Sequence, residues 1–466
     1  MSAKQDAEAL KKELFTKKKN ACEVISGKEI KSADDFCEGY KEFLDKAKTE
    51  REAVKYAAKL AKENGFKEFK FDKKLKPGDK IYTVNRKKAV ILAVIGEENI
   101  EKGVRIAAAH IDSPRMDLKQ NPVYEDGELA LFKTHYYGGI KKYQWTTVPL
   151  SLHGVVFAED GKKIEICIGE DDNDPVFCIT DLLPHLAQNQ MKRSSTEIVK
   201  GEELNILIGS RPFKDDKASE KVKLNILKLL NDKYGITEDD FVSAELEAVP
   251  AFKARDLGFD RSMVGAYGQD DRVCAYTALK AIIDIDAPKT TAVTVLTDKE
   301  ETGSDGNTGL NSAYLMYFLS DLAENQGAIA RHVISASECL SADVNAAVDP
   351  TFPDVNETKN ACKINYGVVV TKFTGSRGKS GTSDASAEYV FRVRDLLDKN
   401  KVVWQTGELG KVDAGGGGTV AQYIANLNID VIDVGVPILS MHAPFEVSSK
   451  IDTYMAYRAF KVFFED

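Results

Sequence analysis

The sequence predicts an α/β fold, in which a mostly parallel central sheet has helices on both faces and receives an inserted, strand-rich segment. Apolar, β-branched runs such as KKAVILAVIG (residues 87–96) alternate with segments of helical period, which is typical of parallel strands covered on both sides. Between residues 121 and 242 the pattern changes to short strands separated by turns such as EDGK (residues 159–162). We therefore predict one domain from residues 1–120 and 243–466, and an inserted domain at 121–242.

The predicted elements follow one another in a regular order. Helical spacing of apolar residues runs from about residue 34 to Gly65, and the core strands KKAVILAVIG and GVRIAAAHIDSP come next. After the insertion we predict a helix following GQDD (268–271), a strand at 291–297, a helix at 309–324, the strands RHVISAS (331–337) and GVVVTKF (367–373), a helix at 383–400, the strand KVVWQTG (401–407), a loop and helix at 414–425, the strand DVIDVGVP (430–437) and a C-terminal helix.

Composition excludes several classes of function. A formal net charge of -9 argues against non-specific nucleic-acid binding, which needs a positive surface. No apolar run approaches the roughly 20 residues of a membrane span, and the first 20 residues lack the apolar core of a secretory signal. The seven cysteines are scattered and form no CxxC motif, which favours a reducing compartment. We expect a cytoplasmic protein without nucleic-acid or membrane partners.

Possible metal ligands follow several of the predicted strands. In open α/β sheets, ligands bind beyond the carboxyl ends of the strands. The residues at these ends are His110, Asp112, Asp270, Asp271, Glu300, Glu301, Asp343 and His442. Imidazoles mixed with carboxylates suit Zn, Mn or Co rather than Ca, and five ligands with one shared carboxylate would serve two metals. Each residue alone also has an ordinary structural explanation, such as a helix cap at GQDD.

Five motifs in chain order carry a resemblance to a known family. They are AHIDSPRMD (109–117), GQDDR (268–272), DKEETGS (298–304), SAD (341–343) and MHAPFE (441–446). Together they resemble the aspartyl aminopeptidase/aminopeptidase I family of dinuclear-metal exopeptidases, over nearly the whole chain. The HxD and EE motifs alone would indicate only the wider superfamily of dimetal peptidases and deacylases. HIDSPR (110–115), the insertion and the MHAPFE motif narrow the resemblance to this family.

The resemblance implies a role for each strand-end residue. The implied metal ligands are His110, Asp270, Glu301, Asp343 and His442. Asp270 would bridge two divalent ions, with zinc expected and Co or Mn as alternatives. Glu300 would be the general base, and Asp112 would orient the imidazole of His110, as metal-bound histidines commonly require.

The resemblance also gives the insertion a role. His185 lies in a PHLA context similar to that of a family histidine that reaches the active site of a neighbouring subunit and is thought to stabilise the oxyanion. The ordinary alternative is a surface histidine at the start of a helix. By resemblance, the insertion is a dimerisation domain, and the protein assembles into a dodecamer built from dimers. His135, His153 and His332 lack a comparable context, and we expect them to be structural.

Three further residues are candidates for substrate binding. Lys372 follows the strand GVVVTKF, and by resemblance it would lie near the pocket for the N-terminal side chain, although an exposed strand end is the simpler alternative. Gly416 and Gly417 belong to DAGGGGTV, which lacks the Lys-Ser/Thr of a phosphate-binding P-loop. Close approach of backbone to substrate is the better interpretation of these glycines.

The predicted function is a metallo-aminopeptidase that removes the N-terminal residue from peptides with a free N-terminus. Many relatives have histidines where this chain has Ala346 and Asp349, and Ser-Ile-Arg where it has Ala-Pro-Phe at 443–445. An acidic N-terminal residue in the substrate is therefore one option rather than a requirement. The alternatives are a deacylase or carboxypeptidase on the same metal scaffold, or a non-catalytic assembly protein.

Overall fold

A nine-stranded mixed sheet forms the middle layer of the protein, whose structure, a computed structural model, describes residues 7–215 and 217–466. The α-helices of these residues, α1 to α11, are Ala7–Leu14, Ala21–Val24, Gly27–Lys46, Glu50–Glu63, Lys221–Tyr234, Gln269–Ile283, Tyr314–Asn325, Ala330–Ser335, Ala387–Lys399, Ala421–Ala425 and Lys450–Glu465. None of the described helices is both long and apolar enough to cross a membrane.

The strands belong to three larger sheets and one two-stranded ribbon. In chain order, β1 to β23 are Lys67–Glu68, Lys80–Asn85, Ala89–Val94, Arg105–His110, Arg115–Asp126, Leu129–Tyr137, Leu150–Phe157, Lys163–Ile168, Cys178–Ile179, Ile206–Gly209, Ala244–Pro250, Arg255–Leu257, Met263–Ala266, Ala292–Thr297, Glu338–Ser341, Asn345–Ala346, Val368–Thr371, Gly375–Ser376, Trp404–Thr406, Gly416–Gly417, Asp430–Gly435, Pro437–Leu439 and Glu446–Ser449. The fold is thus of the mixed α/β class, as predicted.

The central sheet has the strand order β1-β2-β3-β14-β4-β15-β21-β17-β19. Its four middle strands, β14, β4, β15 and β21, run parallel to one another, whereas β3 and β17 are antiparallel to their neighbours in this set. Because the middle strands are parallel, their carboxyl ends meet at one edge, which is where ligand sites form in such sheets. This edge carries the residues discussed below.

Both faces of the central sheet are covered by helices. Along β3, Val90, Leu92 and Val94 pack into one hydrophobic cluster, while Ile91 and Ala93 pack into another, as the alternation of side chains along a strand requires. The first cluster includes residues of α3, α4, α6, α9 and α11, and the second includes residues of α7, α8 and α10. Strands buried on both faces explain the continuous apolar runs in the sequence.

Two local predictions differ from the structure. The segment at 331–337, predicted as a strand, is largely α8, and the strand β15 begins only at Glu338. The apolar residues Val333 and Ile334 suit a short buried helix as well as a strand, because a short run has too little periodicity to distinguish them. The helical stretch that ends at Gly65 is two helices, α3 and α4, since Thr49 interrupts it and caps α4 in a capping box with Glu52.

The second sheet is antiparallel throughout, with the order β8-β7-β11-β5-β6-β10-β9. It spans Arg115 to Pro250 and therefore begins before residue 121 and ends after residue 242. Its strand β5 follows β4 of the central sheet, and β11 is followed by β12. It has a hydrophobic cluster of its own that contains Trp145 and Phe132. The segment from β9 to β10 consists mainly of turns and irregular backbone.

A third sheet, β12-β13-β23-β22-β16, holds the start of α6 close to the loop between β22 and β23. β13 pairs with β23, with Ala266 opposite Glu446. α6 starts shortly after β13, and the loop between β22 and β23 contains His442. The pairing therefore brings the start of α6, with Asp270, next to the MHAPFE segment.

Candidate metal centre

Neighbouring parallel strands carry four of the predicted site residues at their carboxyl ends. His110 is the last residue of β4, and Asp343 follows β15 closely. Glu300 and Glu301 come after β14, in a 3-10 turn that follows Lys299 in the left-handed region (φ 69°). On a strand, two adjacent glutamates would point to opposite faces. Because the chain leaves β14 before it reaches Glu300 and Glu301, both side chains can face the same site.

Asp270 lies between the two predicted histidine ligands. Its Oδ1 is 3.1 Å from His110 Nε2, and its Oδ2 is 3.2 Å from His442 Nε2. The carboxylate is almost fully buried, and its backbone N–H donates to Glu446. The peptide bond between Asp270 and Asp271 is cis. One carboxylate thus offers a separate oxygen to each of two imidazoles, which is the geometry expected of a bridging ligand.

The potential ligand atoms fall into two groups, and Asp270, which belongs to one of them, also contacts His110 of the other. One group contains His110, Asp271 and Asp343, and the other contains Asp270, Glu301 and His442, with the ligand atoms of each group within 4.8 Å of one another. Asp271 was one of the strand-end candidates in the sequence but not one of the five ligands that the family resemblance implies. The GQDD motif contained the signal for it, but the sequence offers no way to decide which aspartate of a pair reaches a site.

The donor set fits divalent metal ions. Asp271 is fully buried, and neither oxygen of its carboxylate has a hydrogen-bond partner; Glu301 Oε1 is also buried without one. Burial raises the pKa of Glu301, Asp271 and Asp343 well above the usual range, and neighbouring carboxylates contribute to each rise. Several buried carboxylates facing only two imidazoles repel one another unless a cation lies between them. The imidazole and carboxylate ligands are those that zinc prefers.

Asp112 contacts both the ligand His110 and the turn that carries Glu300 and Glu301. Its Oδ1 is 3.3 Å from His110 Nδ1, the ring nitrogen that faces away from Asp270. The same carboxylate accepts hydrogen bonds of 3.2 Å from the backbone N–H groups of both Glu300 and Glu301. Glu300 Oε2 lies 3.9 Å from His110 Nε2. Burial raises the pKa of Glu300 to about 7, while His110 opposes the rise and Asp112 adds to it.

Two supporting residues were not predicted from the sequence. Glu446, the last residue of the MHAPFE motif, accepts backbone N–H bonds from Gln269 (2.6 Å), Asp270 (3.1 Å) and His442 (2.8 Å), so one buried carboxylate holds both ligand segments. The carbonyl oxygen of Gly139 lies 2.6 Å from His442 Nδ1 and faces the ring nitrogen opposite Asp270. The motif itself was the signal for Glu446, whereas Gly139 carries no signal in the sequence.

The other predicted residues make their contacts away from these two groups of ligands. They are Lys372, Gly416, Gly417 and His185. Lys372 forms an ion pair with Asp384 on the surface. Gly416 and Gly417 form β20, which pairs with β18, and a Cβ atom at Gly416 would lie 2.0 Å from the carbonyl oxygen of Gly375. This close approach between two strands explains the glycine at 416 without a substrate. His185 is exposed in a turn rather than at the start of a helix.

Comparisons with known proteins identify the family. Residues 43–464 match the model of the family described as Aminopeptidase I zinc metalloprotease (M18). The chain belongs to the M18 family. It is 49% identical over 459 residues to a protein of Clostridium acetobutylicum named "Probable M18 family aminopeptidase 1", with 97% of this chain and 99% of that protein covered.

Solved structures agree with this M18 assignment. The M18 aminopeptidase of Thermotoga maritima matches with a TM-score of 0.91 and 45% identity, covering 97% of this chain and 99% of that one. Aminopeptidase I of Clostridium acetobutylicum matches with a TM-score of 0.92 and 47% identity, covering 97% and 100%. The S. cerevisiae mApe1 dodecamer, 21% identical with a TM-score of 0.74 and 93% and 96% covered, shares the fold.

This M18 chain is a zinc-dependent aminopeptidase, a hydrolase that removes N-terminal residues from peptides. The prediction of a metallo-aminopeptidase is confirmed. Deacylase, carboxypeptidase and non-catalytic roles have no support among these relatives.

Proposed function

We propose that two divalent metal ions, with zinc as the expected metal, act together in the aminopeptidase reaction of this chain. His110 and Asp343 would hold one ion, Glu301 and His442 the other, and Asp270 both. The main support for this proposal is the position of Asp270, because each of its two carboxylate oxygens faces a different imidazole. Asp271 lies in the first group and is a further possible ligand there.

The residues of the chain then have distinct tasks in peptide hydrolysis. Bound zinc supplies Lewis-acid polarisation of a carbonyl oxygen and makes water more acidic. Glu300 accepts the proton of the attacking water at its carboxylate and donates it to the nitrogen of the leaving amine. Asp112 holds the ring of His110 and the amides of the Glu300–Glu301 turn, so the base and the ligands keep a fixed separation.

We further propose that the active site is shared between subunits of an assembly. The support is the segment around His185, residues 176–191, in which several large apolar side chains are exposed. These are Val176, Leu182, Leu183, Leu186 and Met191. Such patches mark protein interfaces. In this proposal the insertion, residues 121–242, is a dimerisation domain, residues 1–120 and 243–466 are catalytic, and dimers build a dodecamer like that of the yeast structure.

His185 and the substrate-binding candidates complete the proposal. The imidazole of His185 from a neighbouring subunit would donate a hydrogen bond to the oxyanion that forms at the scissile carbonyl. Lys372 would lie near the side chain of the substrate's N-terminal residue and would favour acidic residues there, and Gly416 and Gly417 would border the substrate. Peptides with a free N-terminus are the proposed substrates, and the cytoplasm is the proposed location.

The activity assay compares short peptides that have a free or an acetylated N-terminus, in the presence and absence of a chelator. We expect release of the first residue only from the free peptides, and loss of this activity on chelation that zinc reverses. Cleavage of acetylated peptides at an equal rate, or activity that survives complete removal of metal, would contradict the proposal. A panel of N-terminal Asp, Glu, Leu and Ala peptides then measures the preference attributed to Lys372.

A further inference from the structure

A third group of possible metal ligands lies outside the candidate metal centre. It consists of Glu52, His153 and Cys167, which we call the Cys167 cluster, and its ligand atoms lie within 4.8 Å of one another. Glu52 belongs to α4, His153 to β7 and Cys167 to β8, where His153 and Cys167 are directly opposite each other. The cluster therefore joins a helix on the central sheet to the edge of the antiparallel sheet.

The Cys167 cluster resembles the two groups of the metal centre in its geometry. His153 Nδ1 lies 2.8 Å from Glu52 Oε1, much as His442 Nε2 lies 3.2 Å from Asp270 Oδ2 within one group of the metal centre. The three groups are those that meet the same spacing among residues 7–215 and 217–466. The Cys167 cluster differs by containing a thiol. A set of one sulfur, one imidazole and one carboxylate suits zinc and similar ions, since thiolate ligands select soft metals.

Glu52 and His153 are held in place before any ion binds. Glu52 Oε2 accepts hydrogen bonds from the N–H groups of Lys48 (3.1 Å) and Thr49 (3.2 Å), so it caps α4 and leaves Oε1 directed at His153. His153 is only 2% exposed, and its Nε2 contacts Ser151 Oγ at 3.0 Å. Hydrogen bonds between a metal ligand and its neighbouring residues fix the orientation of that ligand and strengthen metal binding.

The charges near the Cys167 cluster are compatible with the binding of a cation. Glu170 Oε1 also lies 3.1 Å from His153 Nε2, but Lys48 and Lys253 contact this carboxylate at 2.8 and 2.9 Å and balance its charge. Glu52, in contrast, has no lysine or arginine within ion-pair distance among the described residues. A divalent ion bound to the Glu52 carboxylate and the Cys167 thiolate would give a neutral group.

The cluster is open to solvent on one side. A surface cavity of about 860 Å³ lies between α4 and the edge strand β8, and both Glu52 and Cys167 line it. None of the proposed catalytic ligands lines this cavity. It gives an ion a path to the cluster and space for water as a fourth ligand, which a three-residue zinc site requires.

We propose that the Cys167 cluster binds one zinc-type divalent cation through Glu52, His153 and Cys167, separately from the catalytic metals. The ion would link α4 to β7 and β8 and so fasten the antiparallel sheet to the central one. Without an ion, a protonated His153 between Glu52 and Glu170 would satisfy the same polar atoms. The two possibilities differ in whether the sulfur of Cys167 bonds to metal.

Cobalt(II) provides a direct test, because a bond between thiolate and cobalt gives a charge-transfer absorption that oxygen and nitrogen ligands do not. The full-length, metal-free protein is titrated with Co²⁺ and its near-ultraviolet spectrum is recorded. We expect this absorption to reach its full intensity by three equivalents per chain, because the two proposed catalytic sites of the metal-free protein also take up Co²⁺. It should be lost in Cys167→Ser and kept in Cys22→Ser, which changes an exposed cysteine outside the cluster.

Metal content gives a second measurement on the same proteins. After zinc reconstitution, Cys167→Ser should contain one ion fewer per chain than the unchanged protein, while its peptidase activity, which shows that it is folded, stays within about twofold of the original. A Cys167→Ala variant checks that serine oxygen does not replace sulfur. Absence of the sulfur-to-cobalt band together with equal zinc content in all variants would overturn the proposal and leave His153 as a protonated structural residue.

Discussion

The hydroxyl of Tyr137 donates a hydrogen bond of 2.7 Å to Oδ2 of Asp112. Tyr137 ends β6 in the antiparallel sheet, whereas Asp112 follows β4 in the central sheet. Because Asp112 also accepts the backbone N–H groups of Glu300 and Glu301, this bond connects the antiparallel sheet to the turn that carries the proposed base. The position of that turn therefore depends on how the two sheets are joined.

Replacing Tyr137 tests this connection. Tyr137→Phe removes the donor to Asp112 with little change of shape, so we expect kcat or zinc affinity to fall by about 10–100-fold, the range for partners of metal ligands. Steady-state kinetics and competition with a chelator measure the two quantities. Tyr136→Phe is the matched control, because Tyr136 is the preceding residue on β6 and is exposed. If both variants match the original protein, the two amides are sufficient to hold Asp112.

The adjacent glutamates should differ in their effects. Glu300→Gln keeps the size of the side chain but removes the base, so we expect zinc content to persist while kcat falls by about 10²–10⁴-fold. Glu301→Gln should instead lower the zinc content, because an amide oxygen is a weaker ligand than a carboxylate. Elemental analysis and kinetics on both variants measure this. The reverse pattern would exchange the roles of the two residues.

Asp270 should be required by both catalytic metals. In a Cys167→Ser background, which removes the third proposed ion, we expect elemental analysis to approach two zinc ions per chain. Adding Asp270→Ala should weaken the binding of both ions, since each oxygen of Asp270 faces a different histidine. Tight retention of one ion after this change would show that Asp270 serves a single metal.

A shared active site can be tested with mixed assemblies. His185→Ala should lose about 10²–10³-fold in turnover, the usual effect of removing one oxyanion donor, while retaining metal and assembly. Co-expression with Glu300→Gln should restore part of the activity, because a hybrid pair contains one site with both residues intact. Hybrids of verified mixed composition that show no gain over either parent would place His185 outside a neighbour's site.

Asp256 should make stability depend on pH. Its carboxylate is approached by Lys41 (2.7 Å), Arg261 (2.9 Å) and Lys450 (3.1 Å), and these contacts outweigh burial and hold the pKa of Asp256 well below its usual range. Since the folded pKa is depressed, the stabilisation is present above the unfolded pKa of about 3.9 and is lost as pH falls below it. Asp256→Asn should therefore destabilise the protein by about 1.5–3 kcal/mol near pH 7.

Thermal unfolding across pH checks this expectation. The difference in Tm between the original protein and Asp256→Asn should be largest near neutral pH and should shrink below about pH 4. Asp35→Asn serves as the control, because Asp35 pairs with Lys31 on an exposed helix surface, where ion pairs contribute little. A difference in Tm that is constant from neutral to acidic pH would show that Asp256 acts through its shape rather than its charge.

How far the site could be predicted depended on where its residues lie in the chain. His110 ends one predicted apolar strand and Glu300 follows another, so local pattern and the rule for parallel sheets placed them at one edge. Asp343 was placed at the same edge although the strand predicted before it is largely α8. Tyr137 and Gly139 belong to a distant segment with no motif of its own, and they reach the site only through the pairing of β5 with β6 and the packing between sheets. Such tertiary relationships leave no local signal.

Secondary structure showed the same limit. Continuous apolar runs such as β3 and β4 were predictable as strands because both faces of these strands are buried. The segment at 331–337 is short, and its few apolar residues fit either period. The sheet boundaries at Arg115 and Pro250 differ from the change in composition at 121 and 242, since β5 and β11 extend beyond these positions and place Met116 and Val249 in the hydrophobic cluster of the antiparallel sheet.

The contact between Gly139 and His442 has a consequence for the newly made protein. These residues are separated by 303 positions, and the last proposed ligand comes from the later of them. At the usual ribosomal rate of about 5–20 residues per second, roughly 15–60 s pass between synthesis of the two segments. During that time the emerging chain lacks a complete set of ligands, so the proposed metal centre can form only after the segment that contains His442 has been made.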